Sequence, residues 1–392
     1  MKPKTLAIHG GELLTPWEHF SPGMVIIEQG KIAFAGPQNK SRIPSGAELL
    51  EAEGKIITAG LVDVHIHGGA GADFSRDGEE GLKKMAGFLL RHGVTSFLPT
   101  TPSAPLQQLE EAVKVARDAA AQPPSGAQVL GLHLEGPYLS PARKGAHDEK
   151  HLCKPNFQEC RNLVELGRGA VKMVTLAPEL EGALELIQFL RGQNITVSLG
   201  HSEATYEETK EAIEAGANHG CHLFNAMPDM KRREPGIAGA LLEDERVYTE
   251  FIADLVHVHP LILRMVFLTK GARRSLLISD AMEAAGMPEG TYALSGQKVE
   301  VREGAARLEN GTLAGSTLTL DRAVKNAVEV LQIPREAAFA MASQTAADSL
   351  GLTNKGRLQA GADGDLTLFN PDLTVSATIV GGEVLFQEET GT

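Results

Sequence analysis

The chain is 392 residues long, enough at roughly 150 residues per domain for two or three domains, or for one large barrel with an appendage. With 42% hydrophobic and 22% charged residues it has the balance of a soluble globular enzyme with ample material for a core. Fifty acidic against 37 basic residues leave a net charge of −13, which excludes tracking along a nucleic-acid backbone as the main activity but permits one local basic pocket.

From the N-terminus, residues 5–55 alternate short apolar runs with glycine turns. Glu28-Gln29-Gly30-Lys31 between two such runs predicts a hairpin. Eight apolar, strand-like runs follow: Val62–His67, Ser96–Thr101, Val129–Glu135, Val171–Ala177, Thr196–His201, Gly220–Phe224, Thr249–Asp254 and Leu276–Asp280. Helical spacing fills most of the gaps, as with Leu82, Met85, Phe88 and Leu89 before Gly93, and Leu106, Leu109, Val113 and Ala116. This alternation predicts an α/β fold, a (β/α)8 TIM-like barrel over residues 57–358. The last stretch returns to short strands, with Gly381-Gly382 as a turn, so residues 1–56 plus 359–392 are expected to pair into one small β-sandwich domain.

Cys153, Cys160 and Cys221 form no disulfide framework and no Cys-x-x-Cys pair. The first residues lack the apolar run of a signal peptide, and the most apolar stretch, 251–268, is broken by Asp254, His257, His259 and Arg264. The expectation is a reduced, cytoplasmic protein without membrane or nucleic-acid partners.

In such a barrel the strand C-termini carry the chemistry. Here they end in His65 and His67, Glu135, His201, His222 and Asp280. Burying ionisable groups repeatedly at one end is costly unless something pairs them, and a divalent cation does so. Period-two geometry puts His65 and His67 on one face, able to grip one ion. Glu135, His201 and His222 could supply three ligands with a fourth position open, the pattern of a catalytic zinc site. Asp280 reads as a general base, and Cys221, next to His222, is expected to face the opposite way and pack. His133 shares a face with Glu135.

Longer motifs carry a resemblance. Ala59-Gly-Leu-Val-Asp-Val-His-Ile-His-Gly-Gly resembles the entry segment of the amidohydrolase superfamily. Gly131-Leu-His-Leu-Glu-Gly-Pro-Tyr-Leu-Ser-Pro, Arg143-Lys-Gly-Ala-His, Leu199-Gly-His-Ser-Glu-Ala-Thr-Tyr, His222-Leu-Phe-Asn-Ala-Met-Pro, Arg233-Glu-Pro-Gly, Ile252-Ala-Asp-Leu-Val-His-Val-His-Pro, Ile278-Ser-Asp-Ala-Met and Leu313-Ala-Gly-Ser, in this order, resemble the N-acetylglucosamine-6-phosphate deacetylases.

The resemblance implies hydrolysis of the acetamide of a phosphorylated amino sugar, with one or two divalent ions per subunit, zinc foremost and iron or another ion as alternatives. By the same resemblance Glu135, His201 and His222 are the principal metal ligands, with His65 and His67 available for a second ion. Asp280 is the catalytic acid/base, and His147 polarises the carbonyl. Ala146, His147, Asn225, Ala226, Leu313, Ala314 and Gly315 line the sugar. Arg233 and His257 bind the phosphate, in a pocket completed across a homodimer interface. Leu255 departs from the family's usual glycine. Two rivals remain: a deacetylase for N-acetylgalactosamine 6-phosphate, and another amide hydrolase of the superfamily. Against the latter, Lys172 lies too early in its strand to bridge two metals as a carboxylated lysine.

Overall fold

The computed structural model describes residues 5–122 and 125–389; residues 1–4 and 390–392 of the expected flanking segments lie outside them. A strand forms in each of the eight expected runs, although the sixth overlaps its expected run, Gly220–Phe224, only at Gly220. The strands are Leu61–Ile66, Val94–Thr101, Leu132–Glu135, Val171–Leu176, Thr196–Leu199, His219–Gly220, Tyr248–Ile252 and Ser275–Ile278, each parallel to the next. They read as continuous apolar runs because helices cover their outer faces. The ring closes between the last and first strands at their C-terminal ends, where the Asp280 N–H donates to the His65 carbonyl at 2.9 Å and the His67 N–H to the Ala281 carbonyl at 2.9 Å.

The helices follow the predicted periodicities. Phe74–Leu90 starts where the Asp73 side chain accepts the Arg76 N–H, and it buries Leu82, Met85 and Leu89. Truncating one such leucine to alanine costs about 2–5 kcal/mol. Tyr206–Ala215 begins with a capping box, Thr205 with Glu208, and stops at Gly216 with φ 122°. Leu106 departs from expectation: as the first residue of Leu106–Ala120, just after Pro105, it is exposed, and the buried stripe starts at Leu109.

Both chain ends build β-structure around a separate core of Leu6, Ile8, Leu13, Val25, Ile27, Leu366, Leu368 and Ile379. A four-stranded sheet holds Thr5–His9, Gly23–Glu28, Lys31–Pro37 and Glu48–Glu51. A six-stranded sheet joins N-terminal to C-terminal chain through Ile56–Ala59, antiparallel to Leu366–Phe369. The predicted hairpin forms with Gln29 at φ 53° and Gly30 at φ 77°, and Gly381 and Gly382 turn similarly at φ 57° and 81°.

An unanticipated three-stranded sheet, Gly290–Leu294, Gln297–Arg302 and Ala305–Leu308, lies over the C-terminal end of the barrel on a small core of its own. Gln297 on it donates to the Ala146 carbonyl. Among the described residues no helix is long and apolar enough to cross a membrane.

Candidate active site

The strand-end groups converge. Glu135 Oε1 lies 3.0 Å from His222 Nε2 and 3.2 Å from His201 Nε2, and the two imidazole nitrogens are 3.1 Å apart. His201 donates its Nδ1–H to the Arg143 carbonyl at 2.8 Å, so its Nε2 presents a bare lone pair to His222. Burial, with the nearby imidazoles adding to it, pushes the His201 pKa down to about 4, which keeps that lone pair free. Three donor atoms forming a triangle with edges of 3.0–3.2 Å approach the roughly 3.3 Å edge of a tetrahedral site with bonds of about 2.0–2.1 Å. The donor set fits a zinc-like cation.

A second group adjoins it. Asp280 Oδ1 lies 3.5 Å from His65 Nε2 and 3.3 Å from His67 Nε2, and Glu135 Oε2 is 3.4 Å from His67 Nε2. His67 donates Nδ1–H to the Thr100 carbonyl at 3.2 Å, again leaving Nε2 bare when neutral, and His65 Nε2 is buried with no hydrogen-bond partner. Glu135 thus faces both groups: Oε1 lies between His201 and His222 and also 3.6 Å from His65 Nε2, and Oε2 faces His67. Against the cost of burial, Asp280 and Glu135 raise His67 to about 9, so without a cation the group holds a proton instead. The Glu135 carboxyl, although burial opposes it, is held well below its usual range by His65 and His147.

His147 also approaches Glu135, with Nε2 3.3 Å from Oε2. The backbone N–H of Ser103 donates to its Nδ1 at 3.0 Å, which fixes the proton of the neutral ring on Nε2. His147 lines a cavity of about 540 Å³ with His67, Glu135, His201, His222 and Asp280, together with Ala146, Asn225, Ala226, His257, Leu313 and Gly315. Arg143 and Lys144 add positive charge to the same wall. His257 is oriented by Asp254, Nδ1 to Oδ2 at 2.7 Å.

His201, His222 and Asp280 have positive φ, at 48°, 20° and 49°, as do Ala226 at 51° and Leu255 at 68°. His201, His222 and Asp280 each lie two residues past the end of their strand, where the left-handed backbone carries a steric cost of about 1–2 kcal/mol per residue.

Two expected site residues lie outside the cavity wall of this chain, and the expected direction of Cys221 needs correction. Arg233 is exposed on its loop, where Lys231 and Glu234 pair. Ala314 is fully buried in the core beneath the three-stranded sheet, so only its neighbours reach the cavity. Cys221 does not face away: Sγ lies 3.7 Å from Glu135 Oε1 and 3.8 Å from His65 Nδ1. Its strand, His219–Gly220, has already ended, so strict alternation no longer applies.

The model of the amidohydrolase family matches residues 56–385. The chain belongs to that family. Among its relatives, this amidohydrolase is 37% identical over 363 residues to the N-acetylglucosamine-6-phosphate deacetylase of Lysinibacillus sphaericus, covering 93% of each chain. It is 39% identical over 342 residues to the N-acetylgalactosamine-6-phosphate deacetylase of Escherichia coli O157:H7, covering 87% of this chain and 90% of that one. The structure of the Mycobacterium smegmatis N-acetyl-D-glucosamine-6-phosphate deacetylase mutant in complex with N-acetyl-D-glucosamine-6-phosphate superposes with a TM-score of 0.90 at 36% identity, covering 98% of this chain and all of that one.

Sequence reasoning missed several supporting groups of this amidohydrolase: Ser103 and Thr100 behind the histidines, and above all Glu250 with His219. Glu250 is fully buried and, against burial, is held well below the usual carboxylate range by His65 and His219. The available signal was a lone carboxylate inside the apolar run Thr249–Asp254. His133 bridges two hydroxyls, Thr100 Oγ1 at 3.2 Å and Thr175 Oγ1 at 2.8 Å, beneath His65.

Proposed function

We propose that the protein is a metal-dependent deacetylase of N-acetyl-D-glucosamine 6-phosphate, releasing acetate and glucosamine 6-phosphate in amino-sugar breakdown. One observation carries this reading: a triangle of donors, a carboxylate and a tautomer-locked imidazole N–H all open on one cavity. Glu135, His201 and His222 would hold a divalent ion, zinc foremost and iron as the alternative, with His65 and His67 available for a second. Such an ion supplies Lewis acidity and lowers the pKa of water at its open position.

The chain's own residues do the rest. Asp280 Oδ1 takes a proton from the attacking water and returns it to the departing amine. His147 Nε2–H donates to the acetamide oxygen as negative charge develops there. Asn225, Ala226, Leu313 and Gly315 orient the sugar, and His257 with the cationic wall receives the phosphate.

Arg233, exposed in one chain, would complete the phosphate pocket of a second copy. The helix Pro260–Lys270, which follows His257, supports such a homodimer because it leaves Leu261, Met265 and Leu268 at 59%, 52% and 70% exposure on one side. Residues 57–358 would form the catalytic domain, and 1–56 plus 359–392 the small one. A cytoplasmic setting suits the three free thiols.

N-acetylgalactosamine 6-phosphate is the second reading, favoured by the 39% identity to the E. coli enzyme. The test is acetate release from both phosphorylated sugars and from unphosphorylated N-acetylglucosamine on metal-replete protein. Turnover of the first phosphorylated sugar supports the proposal. Preference for the second moves it to the galactosamine substrate, and turnover of neither, with metal bound, refutes it.

A further inference from the structure

Glu250 sits on the seventh barrel strand, Tyr248–Ile252, with no solvent exposure. Its Oε2 accepts two N–H groups, Nδ1–H of His65 at 3.1 Å and the backbone N–H of His222 at 2.8 Å. Oε1 accepts Nε2–H of His219 at 3.0 Å. A carboxylate only accepts, so all three contacts pull on it in the same sense. The first two donors belong to different ligand groups: His65 stands with His67 and Asp280, His222 with Glu135 and His201.

The other oriented imidazoles lean on main chain. His67 uses the Thr100 carbonyl and His201 the Arg143 carbonyl, which side-chain replacement leaves in place. Among the described residues, His65 is the ligand-type imidazole whose Nδ1 is held by a carboxylate. His222 also needs a tether, because its backbone is held at φ 20° just past a two-residue strand.

We infer that Glu250 is a positioning residue that couples the two cation subsites, fixing the ring of His65 and the backbone of His222 from one buried carboxylate. This rests on the metal-enzyme reading above. A partner that turns a ligand ring, lends it negative charge and holds a second ligand's backbone tunes affinity from outside the coordination sphere, and its removal costs about 10–100-fold in metal affinity.

The experiment titrates zinc into chelator-stripped full-length protein against a chromophoric chelator, comparing wild type with Glu250→Leu, Glu250→Gln and Lys355→Met. Lys355→Met removes another buried charge, one bound to Asp365 and Gln128 at the opposite end of the barrel, and controls for general loosening. The expected result is a zinc affinity about 10–100-fold weaker in Glu250→Leu. Partial recovery is expected in Glu250→Gln, which keeps one acceptor oxygen, and no change in Lys355→Met.

Wild-type affinity in both Glu250 variants overturns the inference while leaving the metal-enzyme reading intact, and so does an equal loss in Lys355→Met. If Glu250→Leu does not fold, Glu250→Gln decides: weakened zinc binding supports the inference and unchanged binding overturns it. A wild-type chain that binds neither zinc nor ferrous iron overturns both readings together.

Discussion

Replacing His147 by phenylalanine keeps the ring and its packing but removes the one N–H that the cavity receives from it. The residue is 4% exposed, and Ser103 holds its Nδ1, so in the neutral ring the whole donor capacity of the imidazole is at Nε2. A single buried donor aimed at a developing oxyanion is worth about 10²–10³ in kcat, or about 2.7–4 kcal/mol. The same change leaves the Ser103 N–H without its acceptor, at about 1–3 kcal/mol of stability. Steady-state acetate release from N-acetylglucosamine 6-phosphate, with a thermal melt and a metal determination on each sample, separates the two effects. The expected outcome for His147→Phe is a kcat about 10²–10³-fold lower, a KM within about threefold of wild type, and undiminished metal. A variant that keeps kcat and loses only KM would show that His147 binds the ground state, and the oxyanion assignment would be wrong.

Other outcomes follow from the same geometry. Asp280→Asn, which the left-handed backbone at φ 49° tolerates, should fold normally and lose about 10²–10⁴ in kcat, and near-normal turnover would remove Asp280 from proton transfer. His67, raised from 6.5 to about 9, stabilises the metal-free chain fully below pH 6.5 and loses that contribution as pH climbs through 9. A cation must displace the same proton, so zinc affinity measured from pH 6 to 9 should rise by about tenfold per unit where one proton is released, and a flat profile would contradict the assignment. Leu268→Glu on the exposed face of Pro260–Lys270 should shift a dimer to monomer in sedimentation, and an unchanged mass would place the interface elsewhere.

Much of this architecture was legible because parallel strands buried on both faces read as unbroken apolar runs, and because ionisable residues at their ends stand out against that background. His65, His67, Glu135, His201, His222 and Asp280 were found that way. Two kinds of feature were not legible. Glu250, Thr100 and Ser103 act through contacts between segments far apart in the chain, 185 residues for Glu250 and His65, and no local period encodes those. Cys221 failed for another reason: strand alternation lapses once a strand stops after two residues. The sheet at 290–308 carries its own small core, which local alternation alone hardly distinguishes from a polar connection.

The two ligand groups also differ in what the chain must accomplish before they exist. Glu135, His201 and His222 come from the third, fifth and sixth strands, neighbours along one continuous arc of sheet. His65 and His67 meet Asp280 only across the seam where the eighth strand closes onto the first, a contact spanning more than half the chain. A growing chain therefore has the first triangle within reach before the ring is shut, whereas the second group exists only in a closed ring. A cation held by that second group would in effect report that the barrel has finished folding, and a chain opened at this seam would lose that group while keeping the other.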